Sequence, residues 1–333
     1  MKSRTKNRLS DEKIKELVRI HFGQECKIGE ITELKGGMFN AIYRIERRNM
    51  RDAVILKVGV IPGTTLLTYE RDIMPVEVEC YRMIREQTTV PVPEVLAYDF
   101  SKKYIKSNYF FMTELKGEQF SSVMKKMGQD NVDKIREELA GYLYQLHGIK
   151  GDYFGYFSED RSCQYSSWMD AFLHMFQQIL ADSREHKVRL PYDRINVALR
   201  RNLWILEDVK EPALVEYDCH EGNIFVKHTE RGYVIEGILD FERAFWGDPI
   251  ADFPTAFVFT DDIRKEKAFL RAYLKISGRT EYTENDAAKY QLYRLYILTI
   301  MAAETFRYGF IYGKLQGMWA KWQIRKCLRR LGG

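Results

Sequence analysis

The most informative segment of this chain is residues 214–253, LVEYDCHEGNIFVKHTERGYVIEGILDFERAFWGDPIADF. Asp218 is followed five residues later by Asn223, and Asp240 ends the apolar run that comes next. Apolar segments on both sides of the polar turn at 227–232 predict a β-hairpin. Because a hairpin brings the outer ends of its strands together, we expect Asn223 and Asp240 to be neighbours, with Asp218 on the loop before them.

Three oxygen-bearing side chains in this order are what a kinase-type phosphoryl-transfer site needs. A carboxylate such as Asp218 can accept the proton of an attacking hydroxyl, and an Asn and an Asp can hold magnesium against nucleotide phosphates. Positioning and charge neutralisation do most of the work in this reaction. The alternative is a polar hairpin whose Asp and Asn residues only form turns. The spaced set favours a catalytic Asp218 and a metal site at Asn223 and Asp240.

The same residues carry a family resemblance. The segments D-C-H-E-G-N-I-F-V at 218–226, I-L-D-F-E at 238–242 and G-D-P-I-A-D-F at 247–253 resemble the signature of the aminoglycoside phosphotransferase family. The resemblance implies a two-lobed, protein-kinase-like α/β (α+β) fold. It implies a nucleotide-binding lobe at 1–116, built on a small antiparallel sheet. A larger, mostly helical catalytic and acceptor-binding lobe would then occupy 117–333.

Two further features of this segment bear on the resemblance. Asp248 and Asp252 match an acidic pair that, in the family, braces the catalytic loop and caps the next helix. The departure lies just before Asp218, where this chain has Glu216-Tyr217 and the family has His-Gly. The family His is mainly architectural, so its replacement need not abolish activity. It leaves open a nucleotide-binding protein without turnover, a pseudokinase.

The N-terminal part of the chain supplies further kinase-like elements. Gly36 and Gly37 precede an alternating apolar run, which predicts a turn followed by a strand. With Asn40 they resemble the family's G-G-x-x-N-x-x-Y-R loop, which covers the nucleotide. Lys57 lies inside the apolar run 53–58, where an unpaired lysine is costly. We predict that Lys57 contacts the nucleotide phosphates, although a strand lysine more commonly points to solvent.

The lysine needs a glutamate partner on the helix that follows. The apolar spacing of Val76 and Met83 predicts a helix near 76–85. Glu79 shares the face of those two residues, whereas Glu77 lies on the other side. Related phosphotransferases also place the glutamate at this distance before the V-P-V-P element. We therefore predict Glu79 as the partner of the strand lysine and keep Glu77 as the alternative.

The aromatic-rich run Y-F-F-M-T at 109–113 predicts a buried strand. It resembles the family's last small-lobe strand and hinge. The resemblance implies that backbone groups of Thr113 and Leu115 hold an adenine ring and that Met112 lines the back of the pocket. An ordinary core strand is the alternative. His147, in a segment resembling the family's L-x-x-L-H, is expected to be structural rather than catalytic.

Composition agrees with a globular enzyme. The chain has 333 residues, 45% hydrophobic residues and a formal net charge of +5, enough to bury a sizeable core and too little charge to demand nucleic acid. The first residues are basic with no apolar segment behind them, so we expect no secretory signal. The five cysteines are scattered and show no metal-binding spacing. We therefore expect a cytoplasmic protein. The basic C-terminal segment, 321–330, is expected to be a docked helix with a solvated basic face; a weak RNA or membrane contact is the alternative.

The acceptor pocket is harder to predict. Helices are expected near 167–180, 194–206 and 287–310, and related enzymes build this pocket from such helices and the loop after Asp240. Glu304 and Arg307, three residues apart, are expected to pair with each other. The acidic candidates are Asp170, Glu242, Asp261, Asp262 and Glu304, and the aromatic ones are Trp168, Tyr293, Tyr296 and Tyr308.

We therefore expect a magnesium-dependent kinase that transfers the γ-phosphoryl group of ATP or GTP to a hydroxyl of a small molecule. The resemblance favours an aminoglycoside or related antibiotic as acceptor, and hence antibiotic resistance. A metabolic kinase of choline, a sugar or an amino alcohol shares the loop pattern and is the alternative. The expected partners are nucleotide and acceptor, with no nucleic acid and no membrane, in a monomer or homodimer.

Overall fold

A computed structural model describes residues 5–35, 37, 39–48, 50, 52–230 and 232–332. Helix α1 (Asp11–Phe22) precedes an antiparallel sheet of five strands in the order β1-β2-β3-β5-β4. Its strands are β1 (Ile28–Glu33), β2 (Ala41–Arg47), β3 (Val54–Val58), β4 (Val95–Asp99) and β5 (Tyr109–Thr113). Helix α2 (Ile73–Gln87) lies between β3 and β4 in the chain.

Both faces of this sheet are covered by other elements. Successive side chains of a strand point to opposite faces, and the central strands carry apolar side chains on each face. Leu56 of β3 and Phe111 of β5 pack in one cluster with the buried face of α1. Ile55 and Phe110 belong to the main core, which also holds Tyr81 of α2. Since Lys57 lies two residues after Ile55, the alternation turns its side chain toward α2. A strand position thus decides which helix can supply its partner.

The remainder of the described chain is mostly helical. The helices are α3 (Phe120–Val123), α4 (Gln129–Gly148), α5 (Trp168–Glu185), α6 (Tyr192–Asn202), α7 (Phe253–Ala256), α8 (Lys267–Ile276), α9 (Glu284–Ala303) and α10 (Phe310–Arg330). Helix α9 is buried almost all round, so it forms the centre of this part. In the described part of the chain, no helix is both long enough and apolar enough to cross a membrane.

Two small sheets include the strands of segment 214–253, where the sequence predicted the catalytic and metal-binding residues. One has the order β10-β9-β6 and the other β7-β11-β8. Their strands are β6 (Glu118–Gln119), β7 (Gly155–Tyr156), β8 (Ala213–Val215), β9 (Ile224–Thr229), β10 (Gly232–Ile238) and β11 (Phe245–Gly247). The predicted hairpin is therefore confirmed as β9–β10. The small antiparallel sheet followed by a mostly helical remainder is also confirmed, while the lobe boundary at 116/117 stays a prediction.

One expected helix is interrupted. The apolar spacing predicted a continuous helix over 287–310, but α9 ends at Ala303 and α10 begins at Phe310. The chain between them passes through a 3-10 turn, Glu304–Arg307, which has a tighter rotation per residue than an α-helix. Glu304 and Arg307 consequently bind different partners, and the prediction that they pair with each other is wrong.

Candidate active site

Lys57 stands at the centre of the site. Its Nζ lies 2.6 Å from Glu77 Oε2, 2.7 Å from Asp240 Oδ1 and 3.1 Å from Glu242 Oε2. Burial alone would lower the pKa of Lys57, but the three carboxylates outweigh it and hold that pKa well above its ordinary value. A buried ammonium with this many partners is charged, and it is the kind of group that can bind phosphate.

The glutamate on α2 that pairs with Lys57 is Glu77, so the predicted pairing with Glu79 is wrong. Glu77 is fully buried, and its second carboxylate oxygen accepts a hydrogen bond from the Tyr81 hydroxyl at 2.9 Å. Glu79 is exposed and does not line the cavity that Lys57 lines. The prediction took Val76 as the buried face, but Val76 is only partly buried. The face against the sheet passes through Glu77 and Tyr81, which are four residues apart.

Asp240 and Glu242 bring two more carboxylates to the same point. Asp240 has a left-handed backbone conformation, φ 74°, and its N–H donates to the Tyr81 hydroxyl at 3.1 Å. Burial raises the pKa of Asp240, but Lys57 more than offsets this and keeps it below the ordinary value. Burial and the charge of Asp240 raise the pKa of Glu242 to about 8. The two acids therefore differ in how readily they ionise.

The donor set fits a hard divalent cation. Glu77, Asp240 and Glu242 can each offer an oxygen within 4.8 Å of the others, and Mg²⁺ prefers carboxylate and carbonyl oxygens. Asn223 is adjacent, because its carbonyl accepts the Leu239 N–H at 2.9 Å. The hairpin thus brings Asn223 and Asp240 to the same end, as the sequence predicted. Their role as metal ligands stays a prediction.

The loop that carries Asp218 is held by backbone hydrogen bonds. The Asp218 carbonyl accepts a hydrogen bond from Asn223 Nδ2 at 2.9 Å. The fully buried Asp252 accepts from the N–H groups of Glu216 at 3.2 Å and Tyr217 at 2.7 Å. The buried His147 completes this arrangement, with Nε2 at 2.9 Å from Asp252. These contacts fix the path of the loop from three separate elements.

Glu216 and Tyr217 occupy the positions where the family has His-Gly. Tyr217 is buried in a left-handed conformation, φ 59°, and its hydroxyl donates to the Tyr293 carbonyl at 2.9 Å. Glu216 is fully buried, and its Oε2 accepts the Asp218 N–H at 3.1 Å. Burial and the charge of Asp252 raise the pKa of Glu216 well above its ordinary value. Glu216 and Tyr217, which depart from the family pattern, are thus both buried in the core beneath the loop.

Asp218 faces a cavity that Lys57 and Asp240 also line. Its carboxylate is 3.6 Å from Arg243 Nε and 3.9 Å from His220 Nε2. Burial raises the pKa of Asp218, and Arg243 opposes that rise. Asp218 therefore combines access to the cavity with enhanced basicity, which suits a group that accepts a proton.

The far side of the cavity is closed by two ion pairs. Arg243 contacts Glu304 at 2.7 Å, and Arg307 contacts Glu70 at 2.8 Å. Tyr69 donates its hydroxyl to Glu304 at 2.7 Å. Burial raises the pKa of Glu304, but Arg243 and Arg307 more than offset this and keep it below the ordinary value. Both acids on this side are therefore already neutralised by arginines.

The predicted nucleotide-binding residues of the small lobe are partly visible. Gly37, φ 52°, and Asn40 line the cavity, and Asn40 Nδ2 donates to Glu242 Oε2 at 2.9 Å. Gly36 lies outside the described residues. Met112 pairs with Ile55 across β5 and β3, on the same side of the sheet as Lys57. Their contacts with a nucleotide stay a prediction.

The hinge residues Thr113 and Leu115 lie between the sheet and the hairpin. The Thr113 hydroxyl accepts from the Glu94 N–H at 2.9 Å. Leu115 occupies the space where a Cβ of Gly237 would lie, since that atom would come within 2.4 Å of Leu115 Cδ1. The hinge can approach β10 this closely only because residue 237 is a glycine. The adenine-binding role of both hinge residues stays a prediction.

Several residues at the cavity were expected for other roles or not at all. Of the acceptor candidates, Glu242, Glu304 and Tyr308 line it, but Glu242 also binds Lys57. Trp168, Tyr293 and Tyr296 are fully buried core residues, and Asp170, Asp261 and Asp262 do not line it. The sequence reasoning missed Glu70, Arg243, Tyr69 and Tyr312, and it named Arg307 only as the expected partner of Glu304. Arg243 directly follows the I-L-D-F-E motif, which was the available signal.

Comparison with known proteins shows which family this chain belongs to. The model of the phosphotransferase enzyme family matches residues 30–287, more than half of the chain. The chain belongs to this family. It is a phosphotransferase with an alcohol group as acceptor. A comparison with curated protein sequences found no match.

Solved structures agree with the phosphotransferase fold. A protein described as an aminoglycoside phosphotransferase from Ralstonia eutropha has a TM-score of 0.67 at 14% identity, with 98% of this chain and 99% of that one covered. A thermostable mutant of aminoglycoside phosphotransferase APH(4)-Ia, in complex with ADP and hygromycin B, has 0.63 at 15%, covering 95% and 98%. A protein described as a fructosamine-3-kinase from Haemophilus somnus has 0.64 at 16%, covering 96% of each. At these identities the likeness concerns the fold, and the predicted kinase-like fold is confirmed.

Proposed function

We propose that this phosphotransferase transfers the γ-phosphoryl group of ATP, or GTP, to a hydroxyl of a small molecule. The observation that carries the proposal is the convergence of Asp218, Asp240 and Lys57 on one cavity. Each of the three has the chemistry that one part of the reaction needs. The fold likeness to a structure that holds ADP supports a nucleotide as donor.

Asp218 is the proposed base. The acceptor hydroxyl would bind against its carboxylate, which orients the oxygen and takes its proton late in a loose transition state. Its raised pKa makes it a better proton acceptor than an exposed aspartate. Arg243, at 3.6 Å, would keep the carboxylate in place and stabilise its ionised form.

Lys57, held by Glu77, is the proposed phosphate contact. Asn223 and Asp240, with Glu242 beside them, would hold Mg²⁺, which neutralises phosphate charge when bound. Glu242 now binds both Lys57 and Asn40. Burial and Asp240 raise its pKa to about 8, so binding a cation through Glu242 would release a proton near neutral pH. These roles follow from the types and positions of the side chains.

Two acceptor classes compete, and each has its own support. An aminoglycoside is favoured by likeness to a phosphotransferase whose structure contains hygromycin B. A neutral hydroxylated metabolite, such as a sugar, is favoured by the cavity itself. Its acids Glu70 and Glu304 are paired with Arg307 and Arg243, so they are less free to bind the ammonium groups of a polycation. Tyr69 and Tyr308 also line this cavity and would contact a sugar bound there.

The test is magnesium-dependent consumption of ATP and GTP by the purified protein. The panel comprises aminoglycosides, other hydroxylated antibiotics, choline, sugars and amino alcohols. Stimulation by one acceptor that disappears in Asp218→Asn would support the proposal and identify the class. Nucleotide binding without stimulation by any acceptor would favour the pseudokinase alternative. Unchanged turnover in Asp218→Asn would show that another group is the base.

A further inference from the structure

The outer side of α10 carries an apolar surface that the fold leaves open. Ile311, Leu315, Met318 and Trp322 are 74%, 58%, 54% and 49% exposed. Their spacing of four, three and four residues places them on one side of the helix. We call these four residues the α10 stripe. Phe310, 83% exposed, extends it at the start of the helix.

The opposite side of α10 is already used by the fold. Ala320, Ile324, Cys327 and Leu328 are fully buried in the main core. Helix α10 is therefore anchored by one side, and the stripe is not a core face that the chain could bury by shifting it. Large exposed apolar side chains in a row mark an interaction surface more often than isolated ones do.

The charged residues of α10 itself all have one sign. Helix α10 contains six lysines and arginines and no aspartate or glutamate. Lys314 lies 5.8 Å from the centre of the Phe310 ring, and Lys326 lies 3.6 Å from that of Trp322. Arg325 is exposed beside them. Apolar side chains and cations are thus interleaved on the same side of the helix.

We propose that the α10 stripe docks on an anionic lipid bilayer surface. A helix with Trp, Leu and Ile on its exposed side and lysines and arginines around them lies in the headgroup region of a bilayer. There the apolar side chains leave water, and the cations remain beside the lipid phosphates. The sequence alone had led us to expect no membrane partner. The side of α10 on which these residues lie changes that expectation.

The same observations argue against other occupants. A stable protein interface takes about 20 to 30 residues a side, whereas the stripe with Phe310 has five. In a two-fold pair of copies, the basic residues around one stripe would also meet those around the other. Nucleic acid would find few stacking faces, since Ile311, Leu315 and Met318 are not aromatic.

Docking through α10 also has a geometric consequence. Tyr312 lies at the start of the helix between Ile311 and Leu315, and it lines the same cavity as Asp218. The mouth of the cavity would therefore lie close to the bilayer surface. This inference does not depend on the identity of the acceptor, or on turnover at all.

The test is sedimentation of the full-length protein with vesicles. One set is pure phosphatidylcholine, and the other contains equal parts of phosphatidylcholine and phosphatidylglycerol. We expect binding to the anionic vesicles, weakened by added salt because screening shortens the reach of the charges. The double variant Leu315→Ser/Trp322→Ser is expected to bind at least about tenfold more weakly. The matched control is Trp204→Ser, because Trp204 is 64% exposed and lies outside α10, in the turn that follows α6; its loss should leave vesicle binding unchanged.

Three results would overturn the proposal. The first is no sedimentation with anionic vesicles, or equal sedimentation with both kinds. The second is a dimer, found by light scattering without lipid, that the Leu315→Ser/Trp322→Ser variant breaks. The third is tighter binding to single-stranded RNA than to the vesicles. Circular dichroism of each variant confirms that it is folded, since the substituted side chains are exposed.

Discussion

Replacing Glu216 by glutamine should change how the stability of the protein depends on pH. Glu216 is fully buried, its Oε1 has no hydrogen-bond partner among the described residues, and its pKa is raised by burial and by the charge of Asp252. A carboxyl whose pKa is raised in the folded protein stabilises the fold fully below its unfolded pKa. That contribution is lost as the pH rises toward the folded pKa.

The expected magnitude follows from one proton. Between the unfolded pKa of about 4.3 and the folded pKa, a single group changes the free energy of unfolding by about 1.4 kcal/mol per pH unit. Glutamine is neutral at every pH, and its carbonyl can still accept the Asp218 N–H. Near pH 5 we therefore expect Glu216→Gln to lie within about 1 kcal/mol of the wild type. At higher pH the variant should become progressively more stable by comparison.

The assay is urea unfolding of both proteins at several pH values between about 5 and 8. The control is Glu185→Gln, because Glu185 is exposed at the end of α5 and should give a difference that does not depend on pH. A constant difference for Glu216→Gln would contradict a neutral Glu216, since the carboxyl would then be ionised in the folded protein. In that case the Asp218 N–H would be held by an ionised carboxylate of Glu216 and not by a neutral carboxyl.

Three further predictions concern the cavity. Glu77→Gln should raise the KM for nucleotide and lower kcat about tenfold or more, whereas Glu79→Gln should leave both constants unchanged, because only Glu77 holds Lys57. Steady-state kinetics of the two variants measure this difference, and equal effects would contradict the pairing of Glu77 with Lys57. Tyr81→Phe removes a hydroxyl that bonds a carboxylate and a backbone N–H and should cost about 1–3 kcal/mol of stability; urea unfolding measures this, and no loss would mean that the contacts are not formed. Turnover should fall as the pH drops through the raised pKa of Asp218, because a protonated carboxyl cannot accept the acceptor's proton; a kcat profile that is flat at acidic pH would exclude Asp218 as the base.

The sequence predicted the hairpin and its ligand-bearing ends because these are local. Two apolar runs around a short turn allow essentially one pairing, so Asn223 and Asp240 had to meet. The choice between Glu77 and Glu79 failed for a different reason. Glu77 and Glu79 differ only in the direction in which they project from α2. Which of them is buried depends on how the sheet packs against that helix. Lys57 lies on the α2 side of that sheet, which no local pattern reports.

The acceptor side was beyond sequence reasoning for a further reason. Glu70, Arg243 and Arg307 come from three distant segments, and each is a charged residue that could equally have been solvated. The break between α9 and α10 decides where Glu304 and Arg307 point. Helix α10 packs back on α9 after that break, and helical periodicity alone does not show where the chain turns.

The three carboxylates around Lys57 bear on the order in which ligands can enter. Even when Glu242, whose pKa is raised to about 8, is protonated, Glu77 and Asp240 outnumber the single positive charge of Lys57. A nucleotide brings further negative charge into the pocket. A nucleotide that arrives alone would be repelled more strongly than one that arrives with its cation, because the cation removes part of its negative charge. Because coupling between two ligands is reciprocal, each should raise the affinity of the other by the same factor. Free nucleotide should accordingly be a poor competitor of the metal complex, and the pocket would respond to the pair rather than to either member.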